Sequence, residues 1–205
     1  MSDKIDLSKM EQRANRLLSQ DGLMEILLSA IFFVSSASFT TKGAFVPFLP
    51  LYIIFMKDIV EAFRKRFTYP RIGYVKVPDE ESSDVGRGIL TYVGVLMLVL
   101  VGGVYLAYGG ITASAMYRWM PVGIGLFLSG AFQYNFSKTG DMVNWLYIVT
   151  VVLGGISFSL RGFADVKEGL QLYILFISVF FFIAGVIRFF AFRRNHPVLE
   201  EPEDE

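Results

Sequence analysis

The chain has 205 residues, 54% of them hydrophobic, with 19 basic and 19 acidic side chains, no cysteine and a single histidine, His196. Zero net charge argues against general affinity for nucleic acid, and the lack of cysteine excludes disulfides, thiol nucleophiles and zinc sites of the Cys/His type. A Ser-His-Asp arrangement would have to recruit His196 from a charged tail, immediately before Pro197.

The apolar residues come in blocks. A helix needs about 20 mainly apolar residues to cross a hydrocarbon core about 30 Å thick, and six stretches come near that length: about 22–39, 43–63, 87–108, 117–136, 142–160 and 168–191. The expected fold is all-α: a polytopic membrane bundle of six transmembrane helices, preceded by an interfacial amphipathic helix. The expected divisions are a cytoplasmic leader over 1–20, a membrane domain over 21–192 and an acidic tail over 193–205, ending in LEEPEDE, a composition that favours disorder.

In the leader, Leu7, Met10, Ala14, Leu17 and Leu18 share one helical face, with Lys9, Arg13 and Arg16 among the polar positions. Such a helix either lies in the interface or packs under the bundle, and both put it on the same side. The apolar run behind it lacks a small-residue cleavage site, so it is expected to stay in the mature protein.

At the start of the first span Asp21 and Glu25 stand four apart, and Ser29 and Ser36 continue roughly the same face. One reading is a proton or cation relay, because an ionisable group one turn inside a membrane helix needs a partner or a function. The other places both carboxylates in a first turn favoured by the helix dipole, with Glu25 paired to an arginine such as Arg71 or Arg87. No second acid follows deeper to pass a proton on, which favours the second reading.

Pro47 and Pro50 fall inside the second apolar run, where proline removes a backbone donor and tends to kink a helix. Beyond Met56, Lys57, Asp58, Glu61 and Lys65 keep helical spacing, so the helix is expected to continue for two or three turns past the apolar run. The stretch RKRFTYPRIGYVKV, residues 64–77, follows. Here Arg64, Lys65, Arg66 and Lys76 are expected to meet anionic lipid headgroups, at about 1 kcal/mol each near the surface, with Tyr69 and Tyr74 at headgroup level. A sharper alternative has Arg71 reaching inward to Glu25 or holding a phosphate, since a planar guanidinium suits bidentate partners.

In PDEESSDVGRG, Ser82 or Ser83 is placed to cap the third span, with Asp84 in its first turn. Glycines recur through the third to fifth spans, and the pair Gly125 and Ser129 has the small-xxx-small spacing of close helix approach. Arg118 with Trp119, and Asn144 with Trp145, fall at expected interfaces. Gln133 and Asn135 suit hydrogen bonding between helices, and Arg161 could face Asp165 or Glu168.

Positive charge sets membrane orientation. With the N-terminus inside, Lys4, Lys9, Arg13, Arg16, Lys57, Arg64, Lys65, Arg66, Arg71, Lys76, Arg87, Lys138, Arg188, Arg193 and Arg194 are cytoplasmic, fifteen in all; Lys42, Arg118, Arg161 and Lys167 are outside. That asymmetry points to a multi-pass protein of the cell membrane with both termini cytoplasmic.

The residues QDGLMEI (20–26) and FTYPRIGYVKV (67–77) resemble those of a family of uncharacterised prokaryotic multi-pass membrane proteins with DGLxE and TYPRxGY motifs. The resemblance covers about a third of the chain and implies location and architecture only. No catalytic, cofactor or metal set emerges from the residues. The expected role is therefore non-catalytic, through helix packing or assembly with itself or a membrane partner. The alternative is a small transporter or channel for a solute, ion or lipid, which would need a mid-membrane cavity lined by Glu25, Ser29, Ser36 or Asn135. An enzyme would have to work with carboxylates, hydroxyls and Tyr69 or Tyr74.

Overall fold

The computed structural model describes residues 16–40, 48–72 and 112–197, together with positions 92, 94, 95, 98, 99, 101–103, 105, 109 and 110. Among the described residues six helices are delimited: α1 (Leu23–Thr40), α2 (Phe48–Phe67), α3 (Tyr69–Ile72), α4 (Ala113–Thr139), α5 (Val143–Leu160) and α6 (Val166–Asn195). No strand occurs among the described residues, so the all-helical expectation holds. Among the described residues two helices are long and apolar enough to cross a membrane, α5 and the Lys167–Asn195 portion of α6; α1 contributes a shorter apolar helix. Most of the leader, the bulk of the third expected span, Pro47, Lys76 and Tyr74, and the last residues of the tail lie outside the described residues.

The helices depart from the apolar runs at their ends. Helix α2 runs to Phe67 with Arg64, Lys65 and Arg66 in its last turn, while α4 and α6 continue past their runs to Thr139 and Asn195. Hydropathy marks the apolar slab, whereas backbone hydrogen bonding carries a helix on into polar surroundings. The kink expected at Pro50 is not required. Helix α2 begins at Phe48, so Pro50 stands in its first turn, where the missing N–H had no intrahelical partner.

The chain forms two compact units, Met1–Val77 with Ser178–Glu205, and Pro78–Ile177. In the second, α4 and α5 make an antiparallel hairpin. Thr112 caps α4 by accepting from the Ala115 N–H at 3.2 Å, and Gly140 ends it in a left-handed conformation with φ 64°. The turn is then fixed from within: the Thr139 hydroxyl accepts from the Asp141 N–H at 3.2 Å, Asp141 Oδ1 accepts from the Val143 N–H at 3.2 Å, and Asn144 Nδ2 donates to the Asp141 carbonyl at 2.9 Å.

Small residues set the hairpin's spacing. A β-carbon on Gly125 would stand 2.6 Å from the Val151 carbonyl oxygen, and one on Gly155 would stand 2.6 Å from that of Pro121. The small-xxx-small pair thus serves an approach within the chain. Around it Phe132 meets Tyr147 edge-on at 5.1 Å, Asn135 Nδ2 donates to Asn144 Oδ1 at 3.0 Å, and Tyr173 donates its hydroxyl to the Val151 carbonyl at 2.9 Å.

In the first unit α1 runs antiparallel to the second half of α6. Gly22, just before α1, has φ 72° and meets α6 where a β-carbon would lie 2.8 Å from the Phe189 nitrogen. Seven residues on, Ser178 donates its hydroxyl to the Ser29 carbonyl at 2.9 Å. Phe32 stacks near Phe181 at 6.2 Å, and Tyr52 of α2 donates to the Leu27 carbonyl at 3.0 Å.

Candidate functional site: charge-paired helix ends in the first unit

Asp21 and Glu25 open α1, and the structure gives each a basic partner. Asp21 is 1% exposed. Its Oδ1 accepts from the Leu23 N–H at 3.1 Å, so it caps α1, and its Oδ2 receives Arg64 Nε at 2.9 Å and the Thr68 hydroxyl at 3.4 Å. Glu25 faces Arg188 of α6, with Nε 3.3 Å from Oε1. Arg188 thus faces Glu25, Arg71 bonds elsewhere, and Arg87 lies outside the described residues.

The same arginines terminate helices. Arg64 Nη2 donates to the Leu18 carbonyl at 2.9 Å and Arg188 Nη2 to the Ser19 carbonyl at 2.7 Å, at the end of the helical turn at residues 16–19. Arg71 Nη1 donates to the carbonyls of Arg193 and His196, at 3.2 and 2.8 Å. Each guanidinium meets C-terminal carbonyls that have no partner within their own helix, where a cation also complements the helix dipole. Arg64, expected at the lipid headgroups, is instead 17% exposed and committed to Asp21. Arg71, which the sharper alternative sends inward to Glu25 or a phosphate, bonds to backbone carbonyls at the end of α6.

Burial pushes the Asp21 carboxyl above its ordinary value; the Arg64 charge and hydrogen bond, the Leu23 N–H and the Thr68 hydroxyl all pull it back. Tyr69 donates its hydroxyl to Glu61 Oε2 at 2.9 Å, tying α3 back to α2. Lys65 and Arg66 are exposed, and the Arg66 guanidinium lies 5.6 Å from the Phe67 ring centroid. His196 stacks on Phe192 at 4.6 Å. Tyr74 and Lys76 lie outside the described residues.

Polar side chains along α1 turn back on their own helix. The hydroxyls of Ser29, Ser35 and Ser38 donate to the carbonyls of Ile26, Ile31 and Val34, at 2.6, 2.8 and 2.9 Å. Among the described residues no three His, Asp or Glu side chains gather as metal ligands would. What this arrangement does chemically is hold charges against one another and against helix ends. Sequence reasoning missed Arg188 as the partner of Glu25. After Glu168 it is the only charged residue in the sixth apolar run, and a lone arginine there calls for a carboxylate.

No family model matches the chain, and neither does any curated protein or solved structure.

Proposed function

We propose that the chain is a non-catalytic multi-pass membrane protein of the cell membrane, with six spans and both termini cytoplasmic, acting through assembly with itself or a membrane partner. One observation carries this reading: several polar groups are buried while many large apolar side chains on the same helices are exposed. Asp21, Glu25 and Asn144 are buried, whereas Leu153, Ile187 and Phe190 are 58%, 62% and 61% exposed. Only 28% of the apolar window of α5, and the same share of that of α6, is buried. Core helices of a soluble protein would bury most of theirs; lipid is the solvent in which such faces cost nothing.

Assembly draws support from the third apolar stretch. Its described residues are helical and mostly exposed, Leu98 at 75% and Val99 at 65%, and a β-carbon on Gly94, Gly102 or Gly103 would meet nothing within 4 Å. Glycines that meet no neighbour among the described residues suit an approaching helix. The transport reading draws less, because Ser29, Ser35 and Ser38 bond to their own helix, Asn135 bonds to Asn144 and Glu25 faces Arg188. The DGLxE and TYPRxGY motifs favour the same architecture.

The absence of cysteine makes the test direct. Leu98→Cys in native membranes should give an oxidant-dependent dimer that Leu153→Cys does not. Equal cross-linking, or none, counts against assembly through this stretch. Lys65→Cys in intact cells should resist an impermeant maleimide until the membrane is opened; labelling from outside would reverse the topology.

A further inference from the structure

We propose that an anionic phospholipid of the cytoplasmic leaflet occupies the groove between α1, the end of α2 and the last turns of α6. The groove encloses about 360 Å³, with Ile26 and Leu27 on one side, Phe63, Phe67 and Phe189 on the other, and Arg193 completing the lining. Two of those rings carry cations. The Arg193 guanidinium lies 5.8 Å from the Phe189 centroid and that of Arg66 lies 5.6 Å from the Phe67 centroid, while the two rings meet edge-on at 5.8 Å. Both arginines are exposed, and among the described residues neither has a carboxylate partner. Arg64, Arg71 and Arg188 contrast with them, each spent on carboxylates or helix ends.

A largely apolar trough lined by Arg193, with the Arg66 guanidinium beside the ring of its Phe67, matches a phosphate with an acyl chain attached. Arginine fits phosphate in a bidentate manner and keeps its stacking on an aromatic face while doing so. The trough also has somewhere to lead. A second cavity of about 400 Å³ shares Ile26 and continues along the α1–α6 seam to Phe33 and Phe182, in the direction an acyl chain would take toward the bilayer interior. A free phosphate would leave the apolar wall unused, and a zwitterionic lipid would bring its own cation against the two guanidiniums. The proposal rests on the membrane placement above and is independent of the assembly reading.

The test uses the full-length protein in phosphatidylcholine vesicles, with a bimane label on Phe63→Cys in the groove and, separately, on the lipid-facing Leu153→Cys. Acyl-brominated phosphatidylglycerol is compared with brominated phosphatidylcholine as quencher. Phe63→Cys should prefer phosphatidylglycerol by roughly thirtyfold if each guanidinium contributes as a surface cation does. That preference should vanish in Arg66→Ala/Arg193→Ala and persist in Lys65→Ala, and Leu153→Cys should show none. Native mass spectrometry of the unlabelled protein, with lipid adducts counted for the same variants, gives a readout free of the label. Equal quenching by the two lipids, or an equal loss in Lys65→Ala, overturns the groove as an anionic-lipid site. If Leu153→Cys is quenched by neither lipid, the membrane placement fails, and the groove's occupant with it.

Discussion

The first unit and the α4–α5 hairpin of the second solve one problem in opposite ways. Where α1 begins, helices are joined by charge: Asp21 with Arg64, Glu25 with Arg188, and guanidiniums on open carbonyls. In the hairpin the contacts are close and neutral, with Gly125 and Gly155 set against the facing backbone and Asn135 bonded to Asn144. Charge pairing suits helix ends, where carbonyls and amides lack partners and the solvent changes from water to lipid. Close approach suits the interior of a membrane, where apolar burial distinguishes poorly between lipid and a neighbouring helix.

The contrast is broken most severely by leaving a buried charge alone. Arg64→Ala should cost about 3–5 kcal/mol, the usual penalty for removing one partner of a buried pair. Unfolding in mixed micelles with rising sodium dodecyl sulfate would measure it. Asp21→Asn combined with Arg64→Gln should cost less than Arg64→Ala alone, because no charge is then stranded. A loss near zero for the single variant would mean that water reaches the pair and that the first unit is held by packing after all. Next in size is Gly155→Leu, which forces the hairpin apart at Pro121 and should cost about 1–3 kcal/mol as overpacking. Gly102→Leu, whose surroundings are open, should leave stability in the same assay unchanged. Equal losses would remove the distinction between glycines used within the chain and glycines left for a neighbour.

These variants also show how far the sequence could be read. The apolar runs placed α1, α5 and α6 within a few residues, because a long apolar run is written locally. That Asp21 and Glu25 begin a helix was equally legible. Their partners were not: Arg64 looked like one of three surface cations, and Arg188 lies at the far end of the chain. Nothing in local spacing says which cation folds back. Gly125 shows the same limit from the other side, since its spacing with Ser129 announces close approach without saying whether the approaching helix belongs to the same chain. Leucine at Gly125 would disrupt an oligomer only by first disrupting the hairpin, so it cannot serve as a test of assembly.

A smaller effect is expected from Asn144→Ala, which removes the bonds to Asn135 and to the Asp141 carbonyl. Hydrogen bonds between membrane helices average about 0.6 kcal/mol and reach about 1.7, so the loss should fall in that range, well below that of Arg64→Ala. A loss as large as the charge variant's would show that the hairpin depends on its polar turn more than on its glycines.

The smallest effect is a pH dependence, and it reports on which force dominates at Asp21. Burial raises this carboxyl above its ordinary value despite Arg64, so the folded chain holds the proton more tightly than the unfolded chain does. Stability from this group is then complete below the ordinary aspartate value and declines as pH rises through the raised folded value. Subtracting the pH profile of Asp21→Asn from that of the parent, in the same micelles, should leave a stability that falls as pH rises above the ordinary aspartate value. The opposite slope, with stability lost on acidification, would mean that the Arg64 charge outweighs desolvation and that the pair is ionised at net gain.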